Sequence, residues 1–508
     1  MIKPVCSARF SLLATAVSIL PMAAISEGLI EQVDQVQLTK MVHELGATAA
    51  FDYAFEMGDE LTEFEFQAEH GVGANIGEGR RFTRIPRAGL DGPGEWANHF
   101  PKREGGANAT SCLACHSQPD ANGAGGVVLN VVLDPAHTAD PTQFLERNTP
   151  HVLGLGPVQR VAEEMTAELY ALRAAAQVQA CTTGSSKVAL SAKGVSFGTI
   201  SATLMQSSPC AVSFDTSEVE GVDEDLIIRA FGWKGTHASI REFTRGATHN
   251  ELGLQAVETV GNRDGDFDGV TNELSVGDLT ALTIYMAALE RPVSTIELSD
   301  LGLFDLAETD RARIMLGQQK FNEIGCASCH MPELPLGSAV FNEPSSTPGF
   351  YDVTFPDGSE PATHGLTMET PISFDMANGQ PNNRIMLEDG TDSMLGGVPL
   401  NAQGHMTLRW YSDFKRHDMG PDLADPSAPG ETPAQYWITR SLAGVGSTGP
   451  WLHDGRATTL ADAILAHGGE AVESREAFAA LPDAEMDNLV MFLESLVIHK
   501  IETDEEDG

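Results

Sequence analysis

Apolar positions along the chain repeat. Leu279, Leu282, Ile284, Tyr285, Met286 and Leu289 return as Met486, Leu489, Met491, Phe492, Leu493 and Leu496, each 207 residues later. Spacing at i, i+3 and i+7 predicts an amphipathic helix in both places. Asp278 begins the first, and Asp483 and Glu485 lead the second, as a helix dipole favours; Pro292 ends the first. A second pair lies upstream of these helices, in GWKGTHASIREFTRGATHNEL and WLHDGRATTLADAILAHGGEA. Ile240 follows Trp233 by seven residues, and Leu460 follows His453 by seven. A helical pattern then runs to His249-Asn250-Glu251 in one segment and to His467-Gly468-Gly469-Glu470 in the other. Two ordered pairs of matching segments predict a tandem duplication. Residues 181–222, rich in Ser, Thr, Gly and Val, predict a small hairpin subregion; residues 332–405, rich in Pro and Gly, predict loops.

The remaining apolar run, Phe10 to Ala24, follows Lys3 and Arg9 and ends at Ala24-Ile25-Ser26. This is the layout of a secretory signal peptide over residues 1–26. The run is shorter than the ~20 residues that cross a bilayer, and no second run of spanning length follows. The sequence therefore predicts an exported, periplasmic protein with no membrane span.

The 508 residues hold seven cysteines. Cys6 leaves with the signal peptide. Cys112 and Cys115 stand in SCLACHS with His116, and Cys326 and Cys329 in GCASCHMP with His330. C-x-x-C-H is the attachment pattern of c-type haem. Two thiols one turn apart reach the two vinyl groups of one porphyrin, and the adjacent His turns onto the iron. A four-cysteine zinc site or a redox disulfide is the competing reading. Zinc ribbons set their pairs ~15–20 residues apart, whereas 214 residues separate Cys112 from Cys326. Export permits a disulfide between the leftover Cys181 and Cys210; two separate buried thiols are the alternative.

The predicted fold is thus mainly α: two tandem cytochrome c-like haem domains with long loop insertions and little β. Their expected limits are 27–294 and 295–508, and the expected cofactors are two covalently bound c-type haems. What fills the second axial position of each iron sets its function. His467 is the candidate for the haem of Cys326 and Cys329. It lies 137 residues beyond His330, as His249 lies 133 beyond His116. His249 is either the second ligand of the first haem or a distal base, with Glu251 near it. His137, His151, His417 and Met419 are rivals. Separately, Asp264, Asp266 and Asp268 alternate before a Gly, the pattern of a Ca²⁺ loop, with Asn272 or Glu273 as a further ligand. Ser275 stands where the closing Glu of such a loop belongs; an ion-free acidic turn is the alternative.

Acidic residues number 72 against 31 basic, a formal net charge of −41. That excess argues against nucleic acid and anionic membrane surfaces. It suits a basic protein partner, and it also serves solubility.

GGANATSCLACHS, RNTPHVLGLG, AFGWKGTHASIREFTRGATHNELGLQ, DGDFDGVTNELSVGDLTAL, GCASCHMPEL, RHDMGPDLAD and LHDGRATTLADAILAHGGEA together resemble the bacterial dihaem cytochrome c peroxidase superfamily. The similarity is greatest to its dihaem oxidoreductase branch, also called thiol oxidoreductases, and it covers nearly the whole mature chain. The resemblance implies that the C-terminal haem accepts electrons and that the N-terminal haem reacts with peroxide. It places Trp233 at the tryptophan between the haems. It places His467 where the peroxidases carry a methionine, which implies bis-His ligation and a lower potential. It places Phe243 at a catalytic glutamine, a departure from simple peroxidase chemistry, with Glu251 near the family's glutamate. The implied partners are hydrogen peroxide or another small oxidant and a small periplasmic donor, a cytochrome c or a cupredoxin. Oxidation of another protein or an organic substrate, and a non-enzymatic dihaem electron carrier, are the alternative functions.

Overall fold

The repeated apolar patterns become repeated helices. The computed structural model describes residues 31–498 apart from 76–79, 82–97, 102–106, 127–129, 134, 136–139, 141, 352, 378–383, 387–391, 396 and 426–431. The expected signal peptide and His137 lie outside the described residues. The helices, in order, are α1 (Gln35–Leu45), α2 (Ala47–Glu63), α3 (Leu155–Thr183), α4 (Ile240–Ala247), α5 (Val257–Val260) and α6 (Val276–Ala288). They continue with α7 (Thr295–Asp300), α8 (Glu308–Glu323), α9 (Leu460–Leu465), α10 (Val472–Ala479) and α11 (Asp483–Glu494).

Helices α6 and α11 are the two predicted closing helices. Helix α6 starts at Ser275, whose hydroxyl accepts the Asp278 N–H while the Asp278 carboxylate accepts the Ser275 N–H. Asp278 therefore is the third residue of the helix, within its first turn, where the reciprocal cap satisfies two orphan N–H groups at once. Every residue of α6 is buried. Helix α2 crosses it through Gly58, where a Cβ would stand 2.4 Å from the Ala281 carbonyl oxygen. The second half repeats the device: a Cβ on Gly317 of α8 would stand 1.9 Å from the Asn488 carbonyl oxygen of α11. Around that contact Ile314, Phe321, Phe478, Leu489, Phe492 and Leu493 form one apolar cluster. The helix before each C-x-x-C-H motif thus packs on the closing helix of its own half.

The upstream pair also folds alike. Backbone bridges join Phe231 to His237 and Trp451 to Ala457. Gly235 (φ +60°) and Gly455 (φ +64°) make the turns, and the hydroxyls of Ser239 and Thr459 cap α4 and α9. All of these positions correspond at an offset of 220 residues.

The first insertion is larger than a hairpin. Ser185–Ala192, Val195–Ser207 and Cys210–Asp215 form a three-stranded antiparallel sheet. Cys181, near the end of α3, is disulfide-bonded to Cys210 at a Cα–Cα distance of 6.0 Å. In the second insertion Val340–Glu343 pairs with Ile372–Asp375, and Leu334–Pro335 pairs with Thr407–Leu408. The described architecture is mainly α with small sheets. From Gln32 onward the described residues group into one unit, and no described helix is long and apolar enough to cross a membrane.

One buried ionic group ties the first half to the second insertion. Arg241 on α4 gives its five N–H bonds to Glu258 twice, Thr280 Oγ1 at 2.8 Å, Glu343 Oε1 at 2.7 Å and the Val276 carbonyl at 3.0 Å. Its side chain and that of Glu343 are each 4% exposed, and that of Glu258 is 0% exposed. Burial pushes the Glu343 carboxyl up to about 7 against the opposing pull of Arg241.

Candidate haem sites

Both C-x-x-C-H motifs fold as a 3₁₀ turn, Cys112–Ala114 and Cys326–Ser328. The N–H of each following histidine reaches back to the first cysteine carbonyl: His116 to Cys112 and His330 to Cys326, both at 3.0 Å. The turn therefore presents two thiols and one imidazole together. All four motif cysteines are free thiols. Burial raises Cys112 and Cys326 to about 11. That is the reverse of the lowered thiol pKa that a redox dithiol uses.

The imidazoles are oriented by backbone carbonyls, which can only accept. His116 Nδ1–H donates to Gly123 at 3.2 Å, His330 Nδ1–H to Tyr411 at 3.2 Å, and His467 Nδ1–H to Ala463 at 2.7 Å. Each ring thus leaves Nε2 as the lone-pair nitrogen, the tautomer that binds a metal. Burial lowers the pKa of all three, keeping the rings neutral.

His467 follows α9 by two residues, just beyond the helix that the Asp454-Gly455 turn introduces. Its ring centroid lies 6.4 Å from that of His330. Two imidazoles opposed on one metal, with bonds of about 2.0 Å and ring centres roughly 1.1 Å behind each nitrogen, stand about 6.2 Å apart. The donor set and its spacing fit a haem iron closed on both faces.

The first half differs at the equivalent place. After α4 the backbone widens into a π-helical turn, Thr248–Leu252, which carries the buried His249. The π turn lies where His249 slips by two residues against His467 in the repeat, and such turns recur at functional sites. The Glu251 carbonyl accepts the N–H of Asn108 (2.8 Å) and of Ala109 (3.0 Å). This brings the turn to the segment just before Cys112. Phe243 stacks edge-on with His237 at 5.6 Å and lies 6.4 Å from Phe231.

Two rival ligands are engaged at both ring nitrogens. His151 donates from Nε2 to Ala443 at 2.9 Å and accepts the Leu153 N–H at Nδ1. His417 lies between Glu470, 2.7 Å from Nδ1, and Asp413, 2.9 Å from Nε2. Burial would lower the His417 pKa, but Asp413 and Cys329 outweigh it and raise it to about 11. Only an imidazolium satisfies two carboxylates in this way. His151 goes the other way, lowered from 6.5 to about 4 by burial. Its folded-state pKa lies below the unfolded value, so the unfolded chain takes up the proton first. Stability from this residue is complete above pH 6.5 and is lost as pH falls from there through 4. Thermal midpoints across that window should fall with acid in the native protein and fall less steeply in His151→Gln; parallel curves would refute the assignment.

Trp233 stands where the two halves meet. Its indole N–H donates to the Asn148 carbonyl at 2.8 Å, and its ring lies 6.5 Å from His453. The Arg440 guanidinium lies 5.0 Å over its face. His453 in turn stacks on Trp437 at 3.9 Å. The family resemblance pointed to Trp233 but not to Trp437, whose place in the stack depends on its contact with His453.

The acidic loop gathers as expected. Asp264, Asp266 and Asp268 bring one carboxylate oxygen each within 4.8 Å of one another. Asp264 also accepts the N–H groups of Asp268 and Gly269, fixing the turn. Glu273 accepts the Gln255 N–H at 2.8 Å. Ser275, at the closing position of the loop, caps α6 instead.

Residues 384–496 match the family described as "Di-haem oxidoreductase, putative peroxidase". No curated protein matches the chain. Among solved structures it is similar to hydrazine synthase of Kuenenia stuttgartiensis, at 15% identity over 87% of this chain and 92% of that one, with a TM-score of 0.27. It is also similar to a MauG-like protein associated with microbial copper homeostasis, at 14% identity over 52% of this chain and 68% of that one, with a TM-score of 0.25.

Proposed function

We propose, from the match of residues 384–496 to the di-haem oxidoreductase family, that the chain is a periplasmic, peroxidase-type dihaem c-type cytochrome. In this reading residues 1–26 direct export, and residues 27–294 and 295–508 are two tandem haem domains. Cys112, Cys115 and His116 hold one haem; Cys326, Cys329 and His330 hold the other, closed by His467. When bound, the second haem supplies electron uptake from a small donor protein, and the first supplies peroxide reduction.

The chain's own residues do the rest. His330 and His467 would hold one iron between them and leave it no position for an exogenous ligand. At the first site His249 or Glu251 holds and moves the proton that O–O cleavage needs. Trp233, in contact with Asn148 from the first half and His453 from the second, lies between residues of the two halves. Asp264, Asp266 and Asp268 hold a calcium ion that braces the loop leading into α6, and the acidic surface attracts a basic donor. The observation that carries the reading is the asymmetry between the halves: two metal-ready imidazoles face each other at 6.4 Å in the second, while a π turn holds the equivalent histidine in the first.

The test is the resting electron paramagnetic resonance spectrum of the holoprotein, followed by peroxide turnover with a reduced donor cytochrome. One low-spin and one high-spin haem, with peroxide consumed, is the expected result. Two low-spin haems that never take up peroxide or carbon monoxide would leave an electron carrier. High-spin haem without peroxide turnover would point to oxidation of another substrate.

A further inference from the structure

The segments that carry His330's carbonyl partner and His467 are bound to each other by charge. Tyr411, which accepts the His330 Nδ1–H, is followed at two residues by Asp413, only 2% exposed. Asp413 Oδ2 takes His417 Nε2 at 2.9 Å, and His417 Nδ1 reaches Glu470 Oε2 at 2.7 Å. Glu470 Oε1 also accepts the Asp418 N–H at 2.9 Å. Glu470 lies three residues after His467, so a line of alternating charge runs from the carbonyl side of one imidazole to the backbone of the other.

Two glycines let the segments meet. A Cβ on Gly469 would stand 2.0 Å from the Asp418 carbonyl oxygen, and one on Gly468 would stand 2.7 Å from that of Met419. Gly469 also has φ +51°, a conformation that side-chain-bearing residues rarely adopt. The motif His467-Gly468-Gly469-Glu470 thus reads as ligand, close approach, anchor. Arg475 adds a hydrogen bond to the His467 carbonyl at 3.0 Å.

We propose that Asp413, His417 and Glu470 are positioning residues that form an ionic clamp, fixing the separation of His330 and His467 so that the iron between them stays closed. The proposal rests on the reading that both histidines are ligands. Groups that orient metal-binding histidines typically contribute 10–100-fold to metal affinity. The outer end of the clamp is exposed, with the Glu470 side chain 52% accessible, so its work is geometric and passes through the Asp418 N–H as well as through charge.

The test uses the haem-loaded full chain and the variants Glu470→Ala, Glu470→Gln and His417→Gln, with His467→Ala as control. The readouts are the low-spin fraction of the second haem and the rate at which its reduced form captures carbon monoxide. Glu470→Ala should raise that rate by about tenfold or more and broaden the low-spin signal. Glu470→Gln, which keeps an acceptor for the Asp418 N–H, should recover most of the native behaviour, and His417→Gln should fall between. Native rates and signals in both Glu470→Ala and His417→Gln, with His467→Ala high-spin, would overturn the clamp alone. A low-spin second haem in His467→Ala would overturn the ligand reading and the clamp with it. Should Glu470→Ala fail to fold, the His417→Gln and Glu470→Gln pair decides.

Discussion

His467→Ala is expected to turn one of the two haems from low to high spin. Two histidine rivals for the place of His467 are already engaged. His417 is fixed between two carboxylates, and His151 uses both nitrogens within its own pocket. The vacated position is then open to water in the oxidised protein and to carbon monoxide in the reduced one. The low-spin signal of the second haem should disappear from the resonance spectrum while the covalent haem content stays at two per chain. Loss of the strong-field imidazole should also move the midpoint potential of that haem. An unchanged low-spin signal would remove His467 from the site.

The second large effect is on stability. Arg241→Met should cost about 3–5 kcal/mol, the usual penalty for leaving buried charge without its partner. The substitution removes five hydrogen bonds and strands Glu258 and Glu343 among α4, α5, α6 and the Val340–Glu343 strand. The cost should depend on pH with a definite sign. Glu343 already has its carboxyl raised by burial from 4.5 to about 7. The unfolded chain ionises it first, so stability from this group is complete below pH 4.5 and is lost as pH rises through 7. Without Arg241 the penalty should be greatest in alkali, where ionisation is forced, and smallest in acid. Denaturant titrations at pH 5 and pH 8 measure it. Arg245→Met, which loses a contact to Glu258 at 3.0 Å from an 18% exposed side chain, should cost less. Equal losses for the two variants would mean that the buried group is not the stabilising element.

The legible parts of this protein are the ones whose physics is local. C-x-x-C-H places two thiols and an imidazole on one turn wherever it occurs, so both motifs could be read directly. The helical period of α6 and α11 survives in the order of apolar residues, as does the Asp264–Asp268 turn. Asp278 lies in the first turn of α6 as the sequence predicts, but the helix starts two residues earlier because the Ser275 hydroxyl caps it. The first insertion was underestimated: the sequence suggested a hairpin, but a third strand pairs and is stapled by Cys181–Cys210.

The site itself divides along the same line. Sequence alone determined which residues can attach haem, that the chain is duplicated, and that His467 and His249 hold related places. Those facts follow from spacing within about one turn and from the repeat of that spacing. Only the tertiary structure decided that the rings of His330 and His467 come within 6.4 Å of each other, that His249 sits on a π turn, and that His417 stands between Asp413 and Glu470. The first depends on a contact between residues 137 apart and the last on one between residues 53 apart. There the choice between ligand and salt-bridge partner is made by what lies opposite each ring nitrogen, and no spacing along the chain records that.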